Sequence, residues 1–422
     1  MHRRFGVLLL LLLGSVVSAE EGDQDTRISN LEDENRDLRE RLDALELADA
    51  ERTTSLEQAL DEMADEGLGL NMVIRKGNTS ATFQIFGDVG FSYSDPARDG
   101  RGNAYFFNGS LDLFFTARVG DHFQVLSETV FQTKVGDSES GDSSKFDQER
   151  LWGAWAFNDA VQIKFGLEHS PISLWNRLYH HGRWLELTIA RPLLTNFESA
   201  NGILPMHEAG IELLGDVPLA GGSLQYTIFV SNGRGAKPTQ VQEFSDQNND
   251  KAVTFGAGYN FDSPNTIFIA LFARTDEIAP DSGDPARTSP IREWIGSFQF
   301  LFQNDSFSII SEFAYIYQDD KTSGTSFENY TAYFQVGYHI SDEWTPYLRI
   351  DFRDMDRGDP YFAPTGRDLD WYEIVIGTRF DFLNNAALKF EIGFGEREER
   401  SESSAITDES YIRVGVQLAF VF

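Results

Sequence analysis

The last thirteen residues, Ser410 to Phe422, read SYIRVGVQLAFVF and set the terms for the rest of the chain. Ile412, Val414, Val416, Leu418, Phe420 and Phe422 recur at strict period two. Tyr411, Arg413, Gly415, Gln417 and Ala419 occupy the other face, with Val421 the one apolar exception. Such alternation describes a strand with an oily medium on one side and water on the other. A soluble sandwich strand alternates in the same way. An apolar strand that stops flush on an aromatic, with no polar tail, is however an aggregation hazard unless it closes against another strand. The expectation is a closed sheet.

The pattern repeats along most of the sequence. From Asn71 onward sixteen alternating runs can be counted. They are 81–94, 106–119, 123–134, 150–157, 161–168, 207–214, 223–231, 252–261, 266–275, 293–302, 307–318, 329–340, 344–354, 371–382, 387–396 and 410–422. Their connections fall into two classes. Gly120-Asp121, Asn158-Asp159, Asn304-Asp305 and Leu383-Asn384-Asn385 are tight turns, whereas 135–149, 232–251, 276–292, 355–370 and 397–409 are long and polar. Short turns at one rim, long loops at the other and an even strand count predict an all-β membrane protein, a transmembrane antiparallel barrel of about sixteen strands. The 35 Phe coexist with a mean hydropathy of −0.33, as expected when only half of each strand is oily.

The first seventy residues differ. Residues 1–19, MHRRFGVLLLLLLGSVVSA, carry a basic start, an apolar core too short to span a bilayer and a small-residue end. They predict a secretory signal peptide, and no Cys follows to make a lipoprotein. In 20–70 the period changes to alternating threes and fours. The seam positions Ile28, Leu31, Asn35, Leu38, Leu42, Leu45, Asp49, Arg52, Leu56, Ala59 and Met63 are those of a coiled coil. If helical throughout, the segment is a rod of roughly 54 Å. Asn35 at a core position can set register and strand number, and Asp49 with Arg52 weakens the middle. The 18 acidic against 5 basic residues make an isolated helix a poor structure, so self-association through Ile28, Leu31, Asn35, Leu38, Leu42, Leu45 and Leu56 is expected. The competing reading is a single solvated helix.

Several functions are disfavoured. The chain has no cysteine, hence no thiolate site, and its net charge of −32 argues against a nucleic-acid partner. No Gly-x-Ser-x-Gly elbow supports a hydrolase, so no enzyme activity or cofactor is expected. One connection breaks the hairpin rhythm: residues 169–206 hold more Trp, Leu and His than an exterior loop needs. Folded inward, the loop would narrow a channel with Arg177, His180, His181, Arg183, Glu186 and Arg191; otherwise it plugs the barrel or covers an oligomer contact. Adjacent His180 and His181 seldom point at one ion and no carboxylate stands at ligand spacing, so no metal is expected.

Strand parity assigns the barrel interior. Arg118, Lys164, Arg349, Arg353, Arg379, Lys389 and Arg413 face inward, as do Asp88, Asp112, Glu128, Glu168, Glu208, Glu212, Asp351, Glu373, Asp381 and Glu391. Arg349 with Asp351, Arg379 with Asp381 and Lys389 with Glu391 stand two apart on one face, as paired charges lining a hydrated pore.

Signal peptide, acidic heptads, sixteen strands, the long loop after the fifth and the terminal signature Phe420 and Phe422 together resemble Gram-negative trimeric porins. The architecture is most similar to the phosphate-selective porin O and P family and relatives with an N-terminal periplasmic coiled coil. The resemblance implies a trimer in the outer membrane, contacting its lipids, with residues 20–70 in the periplasm and 71–422 as the barrel. That family's phosphate channels carry a basic ladder, whereas 71–422 here holds 28 Lys/Arg against 49 Asp/Glu. The expected function is therefore passive diffusion of small hydrophilic solutes or ions with a weak cation preference. The alternatives are an anion-selective pore run by the loop arginines, and a structural tether whose coiled coil contacts the cell wall.

Overall fold

A computed structural model describes residues 72–422 apart from 77, 97–102, 135–142, 198–200, 241–245, 285–286 and 401–404. The signal peptide and heptad segment expected in 1–70 lie outside the described residues.

Seventeen strands form one antiparallel sheet: β1 Met72–Lys76, β2 Thr79–Asp95, β3 Ala104–Val119, β4 Phe123–Lys134, β5 Ser143–Asn158, β6 Val161–His169, β7 His207–Leu219, β8 Gly222–Ser231, β9 Ala252–Phe261, β10 Thr266–Ile278, β11 Ile291–Gln303, β12 Phe307–Asp320, β13 Ser326–Tyr338, β14 Trp344–Met355, β15 Trp371–Leu383, β16 Ala386–Arg400 and β17 Ile406–Val421. Each of β2–β17 pairs with its sequence neighbours, and β17 closes on β2 from Ile412↔Asp95 to Val421↔Phe86. The result is a closed sixteen-stranded barrel. Closure answers the exposed-edge problem of the last strand, and Phe422 exchanges backbone hydrogen bonds with Ile85 of 2.7 and 2.8 Å. Beyond that point β1, which the alternation did not foretell, takes the same edge of β2 from Met72↔Phe83 to Lys76↔Thr79. No helix among the described residues is long and apolar enough to cross a membrane.

The period-two faces separate as expected. In β10 the outward Ile269 and Leu271 are exposed at 36% and 64%, while Ala270 and Phe272 between and beside them are buried. Aromatic residues collect in two rows on the outer face. Near the short turns Phe307 meets Tyr338, Trp344 meets Phe380 and Phe123 meets Trp155, all directly cross-strand. Eight residues along β12–β15, Tyr315 meets Tyr330 and Phe352 meets Tyr372. Eight residues of tilted strand span roughly 20 Å of membrane normal, matching an apolar band ~25 Å tall between interfacial aromatic girdles.

One strand needs an extra residue to keep this spacing. In β5 the girdle residues Trp155 and Phe146 are nine apart, because a bulge opposite Glu128 and Thr129 skips Glu149. The bulge puts Glu149 and Arg150 side by side at covered positions, with Leu151 and Phe146 exposed on either side. The strand therefore begins at Ser143 rather than at Arg150, where the alternation had placed it. Just past the bulge the wall divides. Pairing of β5 with β6 stops at Leu151↔Leu167, while β4 follows β5 to Ser143 and β7 follows β6 to His169↔His207. Gly166 lies beside the fork at φ 135°, where an added Cβ would sit 2.1 Å from the Leu151 carbonyl oxygen.

Candidate functional site: the inserted loop and the wall that holds it

Between β6 and β7 the described part of the chain from Ser170 to Met206 lies inside the barrel. It forms one short helix, α1 Leu174–Tyr179, a 3-10 turn at Leu193–Thr195 and otherwise irregular backbone. Irregular backbone buried within a barrel must find partners for its amides and carbonyls. The wall supplies them. Glu312 on β12 accepts from Leu174 N at 2.6 Å, Trp175 N at 2.9 Å and Ser173 Oγ at 3.2 Å. Asp351 accepts from Leu193 N at 2.9 Å, Glu391 from Ile189 N and Ala190 N at 2.8 and 3.1 Å, and Asp112 from Gly182 N at 2.9 Å. Cations take the carbonyls. Arg349 donates to the Ala190 oxygen at 2.6 Å, Lys389 to that of Arg183 at 2.5 Å, Arg353 to that of Asn201 at 3.0 Å and Arg379 to that of Glu186 at 3.0 Å.

These contacts revise the parity reading. Arg349, Asp351, Lys389 and Glu391 do face inward, but they are buried against the loop and do not line open water. Arg349 pairs with Asp351 at 2.6 Å and Arg379 with Asp381 at 2.7 Å, as expected. Lys389 and Glu391 do not pair with each other: Lys389 serves loop carbonyls, and Glu391 binds Arg413 as well as loop amides. Arg413 also binds Glu373 at 2.7 Å. Lys164 bridges Glu168 and Glu212 at 2.8 and 2.9 Å, and Arg118 is exposed.

The residues expected to form a constriction are likewise divided. Only Arg177 is exposed. Arg183 is paired with Glu186 at 3.0 Å, and Arg191 is buried with its guanidinium 3.7 Å from the Phe197 ring centroid and 4.7 Å from that of Trp175. Burial pushes the Glu186 carboxyl above its ordinary range although Arg183 and Lys389 pull it down. His180 and His181 are buried too, and the loop draws them together with His169 and His207 at the fork in the wall. Burial holds His180 well below the usual imidazole range, with His207 and Arg191 adding to the shift. Burial also pulls His181 down, but Glu149 and Asp112 outweigh it and leave it raised. The carboxylate at ligand distance that local spacing did not reveal is Glu149, the bulge residue of β5.

The loop does not fill the interior evenly. Its Ile172, Trp175, Leu194, Ile203 and Leu204 pack on the inward Phe268, Phe272, Ile295, Ile310 and Ala314 of β10–β12. The signal for this was present in β10, whose stretch Ile267–Ala273 is apolar on both faces, as strands covered on both sides are. Among the described residues two sizeable cavities border the loop. One of about 480 Å³ is bordered by Asp159, Gln162, Arg177, Asp216 and Tyr226. Another of about 330 Å³ is bordered by Tyr179, Trp184, Gln335, Asp342, Arg379 and Asp381.

A closed barrel with a charged interior and a loop folded into it after the fifth barrel strand is a porin arrangement. The family model described as "Putative beta-barrel porin-2, OmpL-like" matches residues 201–422. The chain belongs to this porin family. Comparison with curated proteins finds no sequence match. Solved structures of the same fold include an anion-selective porin from Comamonas acidovorans, 12% identical with a TM-score of 0.55, the match covering 82% of this chain and 100% of that one. The outer membrane channel DcaP of Acinetobacter baumannii is 14% identical with a TM-score of 0.53, covering 82% of this chain and 99% of its own. OmpT of Vibrio cholerae in a trimer form is 11% identical with a TM-score of 0.53, covering 82% and 100%. These likenesses concern the fold. The porin thus has an outer-membrane channel architecture.

Proposed function

We propose that this porin is a passive diffusion channel for small hydrophilic solutes or ions, constricted by the loop 169–206, with a weak preference for cations. The charge left facing the two cavities carries the reading. Asp159, Asp216, Asp342 and Asp381 border them against Arg177 and Arg379, and Arg379 is already paired with Asp381. Of the loop arginines, Arg183 is neutralised by Glu186 and Arg191 is buried beneath aromatic rings. An acidic lining raises the local cation concentration, and the effect fades with salt over roughly 10 Å at 0.1 M. A reversal potential measured across a planar bilayer in a KCl gradient tests this: a modest potassium preference at low salt is expected. Clear chloride preference would overturn it in favour of the anion-selective alternative, which rests on exposed Arg177; Arg177→Ala would then reduce that preference.

The assembly is proposed to be a trimer, as the OmpT neighbour is, with residues 20–70 adding a periplasmic coiled coil. A structural tether binding the cell wall is the remaining alternative. It has no need of charged cavities, and folded barrels that leave a bilayer silent would favour it.

A further inference from the structure

Four of the seven histidines meet at the fork in the wall, together with the carboxylate of Glu149. We propose that His169, His180, His207 and Glu149 bind one divalent transition-metal ion of the zinc class, which staples the inserted loop to the barrel wall.

The geometry is close to that of a ligand set. Potential donor atoms of His169, His180 and His207 all lie within 4.8 Å of one another, and so do those of Glu149, His180 and His181. His180 belongs to both groups. Glu149 Oε2 stands 2.9 Å from His207 Nε2 and 3.7 Å from His180 Nε2. Tetrahedral ligands about 2.0–2.1 Å from zinc lie roughly 3.3 Å from one another, so small side-chain shifts complete the site. The ring centroids of His169 and His207 are 4.1 and 4.4 Å from that of His180.

Three further observations point to a ligand. Both ring nitrogens of His169 and Nδ1 of His207 are buried without a hydrogen-bond partner among the described residues, as is His180 Nε2. His207 Nε2 makes a 2.9 Å ion-pair contact with Glu149 Oε2, which leaves its Nδ1 bare. A cluster of buried imidazoles with bare nitrogens is costly unless something occupies them. Second, Asn176 favours one tautomer of His180. The Asn176 side-chain amide donates to the Met206 and Ser170 carbonyls at 2.8 and 3.4 Å, which leaves its Oδ1 to accept from His180 Nδ1. That contact puts the proton on Nδ1 and the lone pair on Nε2, the arrangement by which an outer partner orients a metal-binding histidine. Arg191 Nη2, 3.1 Å from the same Nδ1, is a donor and favours the other tautomer, so the two neighbours compete for this nitrogen. Third, Glu149 reaches the cluster only because β5 carries a bulge at that residue. Bulges often re-aim a side chain beside a functional site.

Imidazoles with one carboxylate and no thiolate suit zinc, cobalt, nickel or copper, and not magnesium or calcium, which take oxygen ligands. Nearby Glu128 and Asp112 add negative charge: His169 Nε2 is 3.8 Å from Glu128, and His181 Nδ1 is 3.8 Å from Asp112. The ion would join the loop, through His180, to three wall strands, through Glu149, His169 and His207.

The test uses the full-length porin purified in detergent, stripped with chelator and titrated with Co²⁺, whose visible absorption reports tetrahedral nitrogen–oxygen ligation. About one cobalt per chain is expected, displaced by zinc. His180→Ala and His207→Ala should each weaken binding by at least about 10-fold. Asn176→Ala should weaken it less, while His339→Ala, at the far turn, should leave it unchanged. Heat-modified gel mobility verifies that each variant is folded, and the near-isosteric Glu149→Gln serves if an alanine variant fails to fold. Absence of the cobalt band at saturating metal would overturn the site. So would a band retained at full strength in folded Glu149→Gln and His180→Ala proteins.

Discussion

The wall's grip on the loop can be loosened at one residue. Glu312 accepts four hydrogen bonds: from Leu174 N, Trp175 N, Ser173 Oγ and, at 2.8 Å, from the Tyr333 hydroxyl. In Glu312→Ala all four donors lose their acceptor inside a buried site. Two of them are backbone amides of the first helical turn, and each buried donor left unsatisfied costs about 1–3 kcal/mol. Crediting water with part of the repair, about 3 kcal/mol of loop-docking free energy should be lost. Because 1.4 kcal/mol is a factor of ten, the population of undocked loop should rise by roughly 100-fold. The barrel ladder on either side of Glu312 is unchanged, so the variant should still insert. Glu312→Gln keeps one oxygen as acceptor and should show a smaller effect, about 1–2 kcal/mol. In single-channel records the alanine variant should show larger or noisier conductance steps than wild type, with the glutamine variant between them. Identical conductance and noise in all three, from barrels of equal heat stability, would show that the loop is held by its apolar packing and that the charge docking is incidental.

Three other outcomes are expected. Burial raises Asp359, in the connection between β14 and β15, to about 6 from 3.8, despite hydrogen bonds from Asn329 and the Tyr361 and Phe362 amides. An acid whose folded pKa is raised binds its proton more tightly when folded, so this loop loses stability as pH rises from about 4 to 6. Hydrogen exchange at Tyr361 and Phe362 should be slower at pH 5 than at pH 7.5 after correction for intrinsic rates, and Asp359→Asn should remove the difference. Ile376, 54% exposed on the lipid face of β15, should not tolerate charge: Ile376→Arg should cost about 2–4 kcal/mol in folding into vesicles, while Arg118→Ala at the barrel mouth should cost little. Replacing Leu38, Leu42 and Leu45 together by Asp should weaken oligomers on native gels; unchanged heat resistance of the oligomer would remove residues 20–70 from the assembly.

The barrel was legible residue by residue because its determinant is local. Alternation depends on consecutive side chains pointing to opposite faces, so Ile412 to Phe422 declares strand, lipid face and inner face without reference to any other part of the chain. The tight turns at Gly120-Asp121 and Asn158-Asp159 and the odd loop after the fifth barrel strand are equally local signals. Parity also placed Arg349, Lys389, Asp351 and Glu391 on the inner face correctly. It could not say what they meet there, since their partners are backbone groups some two hundred residues away in the loop, and backbone carries no sequence signature. Lys389 and Glu391 show the limit: two opposite charges two apart on one strand each bind something else. The histidine cluster was hidden for the same reason, with its members on β6, β7 and the loop, and its carboxylate on β5. Glu149 left one trace, the switch of outward parity between Phe146 and Leu151, which a bulge explains. Local periodicity determines faces; only closure of the sheet, by fixing register and bringing the loop inside, decides which buried groups become neighbours.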